Sequence, residues 1–341
     1  MKSAHRFSPS ALLFLFALFG LLFPLFAFSL RASSSWHFNL PSIPHQSPTP
    51  PVVATSTPAG GNTPPPTSGG STSTSSPPAG SGGAPSGTVF RVGPDEKGPN
   101  AYASPMALWS SGKLTNGATV DIDACTYTND FNPDNGTGSV NIAASNVYIT
   151  AVATTSAHCV KPDPWNGANP NHPVVALIKQ TTSGTLQKGL WNIDAPGVTV
   201  DHIAFEGADS GDMNGAGLRI ETDGTTTIQN SYFFHNQDGI LGGSAGSNVV
   251  VSDSEFYDNG TGGCVSSCTH QLYINNGASL SIAGSYFHDI DVYGEHAGSG
   301  IGNQIRSRAR SATISGVRDF DNSTAASYEI DLPQSGTIKI T

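Results

Sequence analysis

Polar residues that could bind or transform a ligand recur in short segments where they alternate with aliphatic residues. Arg219 and Glu221 flank Ile220, and Tyr273 follows Leu272. Side chains alternate between the two faces of a strand, so the polar members of these segments should face outward together. The predicted outward set comprises Arg219, Glu221, Gln271, Tyr273, Gln304, Arg306, Arg308, Glu329 and Asp331.

Two uses of this outward set are open. If the segments stack as neighbouring strands about 4.8 Å apart, they form one patch of arginines, carboxylates, amides and a tyrosine. Such a surface binds extended sugar chains, because amides and carboxylates bond sugar hydroxyls and an aromatic ring stacks on a sugar ring. Alternatively, Arg306 or Arg308 only forms ion pairs across strands with Glu221, Glu329 or Asp331.

A repeated phrase identifies the elements that would position this patch. Four times an aliphatic residue precedes a phenylalanine by five positions, starting at Val200, Ile228, Val251 and Ile282. The intervals between these starts are 28, 23 and 31 residues. Irregular intervals of this size predict a solenoid, in which stacked repeats keep their strands and vary their loops. The phenylalanines are Phe205, Phe233, Phe256 and Phe287.

The two ends of the solenoid should differ. Ser104 followed by Pro105 predicts the start of a short helix, with serine as the cap and proline in the first turn. This helix would cover the open end of the first repeat. Residues 337–341 still alternate like a strand, so we expect self-association or another cover at that end.

The chain of 341 residues divides into three parts. Residues 1–30 combine early basic residues with a long uncharged run, which indicates a signal peptide or a signal anchor. Residues 31–87 are rich in Pro, Ser, Thr and Gly and are predicted to be a disordered linker. Residues 88–341 form one domain. We expect a secreted, cell-surface or periplasmic protein that touches a membrane only through an uncleaved N-terminal segment.

Charge and cysteine content narrow the partners and the chemistry further. The chain has 15 Lys and Arg against 25 Asp and Glu, a net charge of −10 without a basic tract, which argues against nucleic acid. Four cysteines in an exported protein predict two disulfides, and the preferred pairs are Cys125–Cys159 and Cys264–Cys268. A zinc site built from Cys264, Cys268 and His270 is a weaker alternative.

Residues 226–233, residues 238–240 and residues 279–287 resemble the right-handed parallel β-helix superfamily, the fold of pectate lyases and their relatives. The resemblance covers residues 88–341. It implies an all-β domain, a right-handed parallel β-helix solenoid with a short N-terminal capping helix. The superfamily contains polysaccharide lyases, glycoside hydrolases, uronate epimerases and non-catalytic adhesins, so an extracellular polysaccharide is the expected partner.

A lyase reading assigns roles within the outward set. A polysaccharide lyase removes the proton beside a uronate carboxylate after calcium or arginine has neutralised that carboxylate. Resemblance to pectate lyases implies that an arginine or a lysine could serve as the base. Within the outward set the candidates are Arg306 and Arg308, with Tyr273 as a candidate proton donor. His270 is an alternative acid–base group because imidazole titrates near neutral pH.

The remaining expectations concern metal and mechanism. Calcium requires about six to eight oxygen ligands, and one of two acidic loops that could contribute to them contains Glu206, Asp209 and Asp212. The other contains Asp289, Asp291 and Glu295, and the alternative is that both loops are simply solvated. One alternative function is a non-catalytic glycan-binding surface or adhesin. Another is an inverting glycoside hydrolase, with an acid and a base about 6.5–9.5 Å apart. Its candidate carboxylates are Glu221, Glu329 and Asp331.

Overall fold

The computed structural model describes residues 87–131, 140–162, 174–182, 186–260, 269–290, 302–320 and 326–341. The predicted signal segment and almost all of the predicted linker lie outside these residues. The described part contains one helix, α1 (Pro105–Ser110), and 22 strands. In chain order the strands are β1 (Val89–Val92), β2 (Ala101–Tyr102), β3 (Thr119–Asp123), β4 (Thr126–Thr128), β5 (Val140–Ile142), β6 (Tyr148–Val152), β7 (Ala176–Lys179), β8 (Gly189–Ile193), β9 (Val198–Asp201), β10 (Ile203–Glu206), β11 (Ala216–Ile220), β12 (Gly224–Gln229), β13 (Tyr232–Phe234), β14 (Asp238–Gly242), β15 (Ser247–Ser252), β16 (Glu255–Tyr257), β17 (Leu272–Ala283), β18 (Tyr286–His288), β19 (Gly302–Ser315), β20 (Arg318–Phe320), β21 (Ala326–Asp331) and β22 (Thr337–Ile340). Within these residues no helix has the length and apolar character needed to cross a membrane.

The strands form two long sheets in which the described pairs are parallel. The first sheet has 15 strands in two runs, one through β3, β6, β9, β12 and β15 and the other through β5, β8, β11 and β14. The long strand β17 joins the two runs, because residues 272–274 pair with β14 and residues 279–283 pair with β15. The second sheet runs β4, β7, β10, β13, β16, β18 and β20. Each strand thus lies beside its counterpart one repeat later, an all-β arrangement compatible with a β-helix.

The repeated phenylalanines form one continuous stack in the core. Phe205 pairs in register with Phe233, Phe233 with Phe256, and Phe256 with Phe287. Successive ring centroids are 5.2, 4.7 and 4.4 Å apart, and the ring planes lie within 14° of parallel. All four side chains are fully buried. The sequence phrase is therefore a packing signal, in which aromatic dispersion contacts link each repeat to the next.

The serines that accompany the phenylalanines bond the turns of neighbouring repeats. The backbone N–H of Ile203 donates to Ser231 Oγ at 3.3 Å, and that of Ser231 donates to Ser254 Oγ at 3.2 Å. The N–H of Ser254 donates in the same way to Ser285 Oγ at 3.2 Å. Each of these hydroxyls also donates to the carbonyl two residues earlier. The row of serines thereby satisfies buried backbone groups that would otherwise lose a partner on folding.

The same turns share one backbone conformation. Five residues between a first-sheet strand and a second-sheet strand have positive φ angles of 58°, 48°, 48°, 60° and 57°. They are His202, Asn230, Asp253, Gly284 and Gly316. Glycine adopts this region without strain, and asparagine and aspartate tolerate it better than other residues. The turn is therefore kept by the stacking although its residue type varies.

Helix α1 begins where its sequence predicts. Ser104 is the N-cap and its hydroxyl accepts from the backbone N–H of Ala107, while Pro105 occupies the first turn. The Leu108 side chain is fully buried in the main core, and the helix contacts β2 and β5, which end the order of the first sheet. The short helix predicted from this sequence is confirmed.

The first predicted disulfide is confirmed, since Cys125 and Cys159 are bonded with their Cα atoms 5.2 Å apart. Cys264 and Cys268 lie outside the described residues. At the other end of the domain, β21 and β22 pair only with β19 among the described strands. Ile338 is 49% exposed and Ile340 is 57% exposed. Self-association at this edge stays a prediction.

The phenylalanine stack predicts a large stability cost for one truncation. Phe233→Ala should lower the free energy of unfolding by about 3–5 kcal/mol, because it leaves a cavity between two stacked rings. Urea unfolding followed by far-ultraviolet circular dichroism measures this change. Tyr328→Ala is the matched control, since that ring is 66% exposed and its loss should change stability by less than about 0.5 kcal/mol. Equal stabilities for the two variants would contradict the role of the stack.

Candidate functional site

The parallel register brings several predicted site residues into one row on the first sheet. Arg219 pairs with Leu241, Leu241 with Tyr273, Tyr273 with Arg306, and Arg306 with Asp331. These residues come from β11, β14, β17, β19 and β21. Residues up to 112 positions apart in sequence, from 219 to 331, therefore become neighbours across strands.

Tyr273 occupies the centre of this row, and two guanidinium groups from β19 lie close to its ring. Arg306 Cζ lies 5.2 Å from the centre of the Tyr273 ring and Arg308 Cζ lies 5.9 Å from it. The Tyr273 hydroxyl donates to Asn275 Oδ1 at 2.8 Å, and Arg308 Nη1 donates to the same oxygen at 3.3 Å. Both arginines are within cation–π range, so the ring fixes their position on the outer face. We call Arg219, Glu221, Tyr273, Asn275, Arg306, Arg308 and Asp331 the Tyr273 site.

The predicted ion pairs are present for one of the two strand β19 arginines. Arg306 Nε lies 3.4 Å from Asp331 Oδ2, and Asn303 Nδ2 donates to the same carboxylate oxygen at 3.2 Å. Arg308 forms no ion pair with a carboxylate in the described part of the chain. Glu329 is exposed. Arg306 is thus partly neutralised, whereas Arg308 keeps a charge available to an anion.

Glu221 is fully engaged by two cations. Its Oε2 accepts from Lys188 Nζ at 2.6 Å and its Oε1 accepts from Arg219 Nε at 2.8 Å. Burial acts to raise the pKa of the Glu221 carboxyl, but the hydrogen bonds and charges of Lys188 and Arg219 outweigh it and lower that pKa. Glu221 is therefore suited to hold Arg219 in place rather than to carry a proton.

His270 lies beneath the row with its ring buried. The side chain is 1% exposed, its ring meets the Tyr273 ring edge to face at 4.9 Å, and Nδ1 accepts the backbone N–H of Asn303 at 2.9 Å. Burial, with a contribution from the Arg306 charge, lowers the pKa of His270 to about 3. The predicted role of His270 as a base is not supported at Nδ1, which is already occupied.

Asp238 is a buried carboxyl at this site that the sequence reading did not single out. Its Oδ1 accepts the backbone N–H of His270 at 2.7 Å, and Oδ2 has no hydrogen-bond partner among the described residues. Burial raises the pKa of Asp238 well above its usual value, opposed by the His270 bond and the Arg219 charge. In the sequence, Asp238 was noted only as part of residues 238–240, which carry the fold resemblance. That its carboxyl group is buried could not be predicted from the sequence.

Gln271 and Gln304 do not face outward, and that prediction is wrong. Both side chains are 0% exposed. Gln271 bonds to Asn259 and donates to the His288 carbonyl, inside the domain. The reason is the position of Gln271 beside Gly239 of the neighbouring strand β14. A Cβ added at Gly239 would lie 3.1 Å from the Phe256 ring, so side chains at this position point towards the phenylalanine stack. Strict alternation therefore begins one residue later, at Leu272.

The three predicted calcium ligands each accept a hydrogen bond from a different side chain of the protein. Glu206 accepts from Lys179 Nζ at 2.6 Å, and Asp209 accepts from Gln237 Nε2 at 2.5 Å. Asp212 accepts from Ser210 Oγ at 2.7 Å. Among the described residues no group of three or more His, Cys, Asp or Glu side chains could hold a metal ion. Each of the three carboxylates thus has a partner inside the protein, and a role of this loop in calcium binding stays a prediction.

An open cavity of about 400 Å³ adjoins the Tyr273 site. Its lining combines an aromatic ring, charged groups, an amide and an aliphatic floor, the mixture found in small-molecule sites. The lining residues are Asn214, Arg219, Ile220, Glu221, Leu241, Gly242, Gly243, Ser244, Tyr273 and Asn275.

Comparison of the chain with protein-family models, curated proteins and solved structures finds no match. The chemistry of this site consequently has to be argued from its own side chains.

The surroundings of His270 and His235 shift the pKa values of these two side chains in opposite directions. His270 should stay neutral down to about pH 3, whereas the His235 pKa is raised to about 9, because bonds to Asp258 and Glu206 outweigh burial. Ring ¹⁵N chemical shifts recorded from pH 4 to 10 measure both groups. The neutral His270 stabilises the fold above its unfolded pKa of about 6.5, and this stability is lost as pH falls towards 3.

The stability due to His235 has the opposite pH dependence. Its raised pKa gives stability that is complete below about pH 6.5 and is lost as pH rises through 9. His235→Gln should therefore flatten the decline of stability between these values and leave the His270 titration unchanged. A His270 ring that protonates near pH 6.5 would contradict the buried, Nδ1-bonded arrangement.

Proposed function

We propose that this protein is an exported parallel β-helix that binds an acidic polysaccharide at the Tyr273 site and cleaves it by β-elimination. One observation carries the proposal: Arg306 and Arg308 both lie over the Tyr273 ring, at 5.2 and 5.9 Å. Guanidinium groups bind carboxylates through several directed N–H donors. Two of them beside a phenol hydroxyl combine anion binding with a group that can transfer a proton.

The elimination divides into steps with defined requirements. The proton on the carbon beside the uronate carboxylate is removed, and its electron pair forms a double bond to the neighbouring carbon. The glycosidic oxygen on that carbon leaves with the bonding electrons and takes up a proton. One of the two arginines, Arg306 or Arg308, would remove the proton in its deprotonated form, a role that resemblance to pectate lyases suggests for an arginine. The other would stay cationic and stabilise the charge that develops on the carboxylate, and Tyr273 would protonate the leaving oxygen.

A second candidate function is glycan binding without cleavage. Two of the candidate acid–base groups are already engaged, since both Glu221 oxygens accept from cations and His270 Nδ1 accepts from the backbone. A surface whose polar groups are held in this way suits recognition, because little side-chain entropy is lost on binding. This observation favours an adhesin or another glycan-binding protein of the cell surface.

The fold proposal extends to the parts that flank the strands. We infer a right-handed β-helix with α1 as its N-terminal cap, supported by the buried Leu108 and by contacts of the helix with both β2 and β5. A cap of this kind covers strand edges that would otherwise recruit other chains. Residues 1–30 would direct export and residues 31–87 would tether the domain.

The elimination predicts the effect of two substitutions. Arg306→Ala and Arg308→Ala should each lower the rate by about 10²–10³, as loss of one charge-stabilising donor does. The assay offers the full chain a panel of uronic-acid polysaccharides and follows the ultraviolet absorbance of the unsaturated product. Arg310→Ala is the matched control, because Arg310 is an exposed arginine on the same strand and should leave the rate unchanged.

Each other outcome of this assay has a defined meaning. Retention on one polysaccharide with a flat absorbance trace would replace the lyase by the glycan-binding function. If a chelator stops turnover, calcium and not the arginines neutralises the carboxylate of the substrate. Neither retention nor turnover with any acidic polysaccharide would overturn the proposed function.

A further inference from the structure

The cavity beside Tyr273 is a slot whose walls and floor come from three consecutive strands. Arg219 and Glu221 form one wall on and just after β11, and Tyr273 and Asn275 form the other on β17. Strand β14 runs between them, because Leu241 pairs with both Arg219 and Tyr273. Neighbouring strands lie about 4.8 Å apart, so the backbones beneath the two walls are about 10 Å apart.

The floor of the slot is low because β14 ends at one glycine, Gly242, and a second glycine, Gly243, follows it. Gly242 and Gly243 have φ angles of 134° and 101°, which residues with a side chain rarely adopt. A Cβ at Gly242 would lie 2.2 Å from the Ile220 carbonyl oxygen, and one at Gly243 would lie 2.0 Å from that of Asn276. The backbone therefore excludes side chains at the position where adjacent strands carry Glu221 and Asn275. The slot is preformed.

The rest of the floor is apolar. Leu241 lines the slot, although it occupies the same outward row as Arg219 and Tyr273. An aliphatic floor with one aromatic wall suits the carbon–hydrogen face of a sugar ring, while the polar groups at the rim suit its hydroxyls. A volume of about 400 Å³ lies at the small end of ligand sites. These dimensions favour a single sugar unit over a long segment of chain.

Arg219 provides an unused donor in the wall of the slot. Its Nε donates to Glu221, but Nη1 is buried and has no hydrogen-bond partner among the described residues. Lys188 also bonds Glu221, so two cations share this one carboxylate. The Arg219 side chain lines the slot and is 21% exposed, so a ligand in the slot can contact it. A carboxylate is the natural partner of a guanidinium whose donors are not all used.

We propose that the slot is a one-sugar subsite for a hexuronic acid, with the sugar ring on Leu241 and its carboxylate bound to Arg219. The inference rests on the proposed function, since it identifies the sugar unit that the Tyr273 site would hold. It also separates two tasks. Arg219 selects the acidic sugar, while Arg306 and Arg308 lie on the other side of Tyr273, at the adjoining position.

The test uses single sugars, so that it does not depend on polymer binding. The full chain with ¹³C-labelled leucine methyl groups is titrated with galacturonic or glucuronic acid, and in parallel with galactose or glucose. Leu241 should shift with the acids and saturate, and the neutral sugars should bind at least about tenfold more weakly, as expected for loss of a charge-assisted hydrogen bond. Leu218 is the internal reference, because it is fully buried in the core.

Two variants test the role of Arg219. Arg219→Gln should remove the preference for the acid, and Arg219→Lys should restore part of it, because lysine keeps the charge and loses the planar fork. Arg310→Gln, on an exposed arginine of β19, should bind like the unmodified protein. Because Arg219→Lys retains a cation beside Glu221, it keeps the test valid if the glutamine variant fails to fold.

The outcomes distinguish this subsite from the proposed function. If a polyuronate is retained but no sugar acid shifts Leu241, the slot is not the subsite and polymer binding stands. If a sugar acid seats on Leu241 but no polymer is bound or cleaved, the subsite stands and the proposed function fails. Equal affinity for acid and neutral sugars would overturn the assignment of Arg219. No response to either sugars or polymers would overturn both.

Discussion

The parallel register between repeats is the constraint on which the rest of this structure depends. Each strand pairs with its counterpart one repeat later, so a residue at a given place in one repeat lies about 4.8 Å from the residue at the same place in the next. A residue type that recurs therefore becomes a row. Phenylalanine gives a stacked core, serine gives a chain of turn hydrogen bonds, and the unlike residues Arg219, Tyr273 and Arg306 become neighbours in the candidate site.

This register also explains how repeats of 28, 23 and 31 residues coexist in one domain. The rows bond neighbouring repeats at the turns and in the core, through residues in or next to the strands. Asn236 donates to Asn259 in the next repeat, and Asn259 donates in turn to Gln271, which follows it within the same repeat. Loop length costs little free energy when the ends of the loop are fixed in this way. The loops can then vary while the outer face keeps its geometry.

The elements that recur along the chain could be predicted from the sequence. Features that depend on how deeply a side chain is buried, or on a glycine at one position, could not. The strands, the serine-capped helix and the Cys125–Cys159 bond could be predicted because each has a local signature. The inward orientation of the Gln271 side chain could not be predicted. It follows from the position of Gln271 beside Gly239 of the previous repeat, where the backbone faces the phenylalanine stack. The slot above Leu241 was also hidden, because it results from backbone angles at Gly243 that exclude a side chain. Glu206 was grouped with acidic neighbours in sequence, whereas its partners Lys179 and His235 come from other repeats.

Because the whole chain is acidic, binding of an anionic ligand would require arginines close to the binding site. The chain carries a net charge of −10, so its distant field opposes an acidic polymer. At physiological salt that field is screened within about 8 Å, and only close groups decide the binding free energy. Arg219 is held by Glu221, and Arg306 is held by Asp331 and the Tyr273 ring. Each anchor removes some positive charge but also fixes a flexible side chain before the ligand arrives. In an acidic protein, prepositioned donors therefore offer selectivity for a carboxylate at a defined place, which diffuse positive charge would not provide.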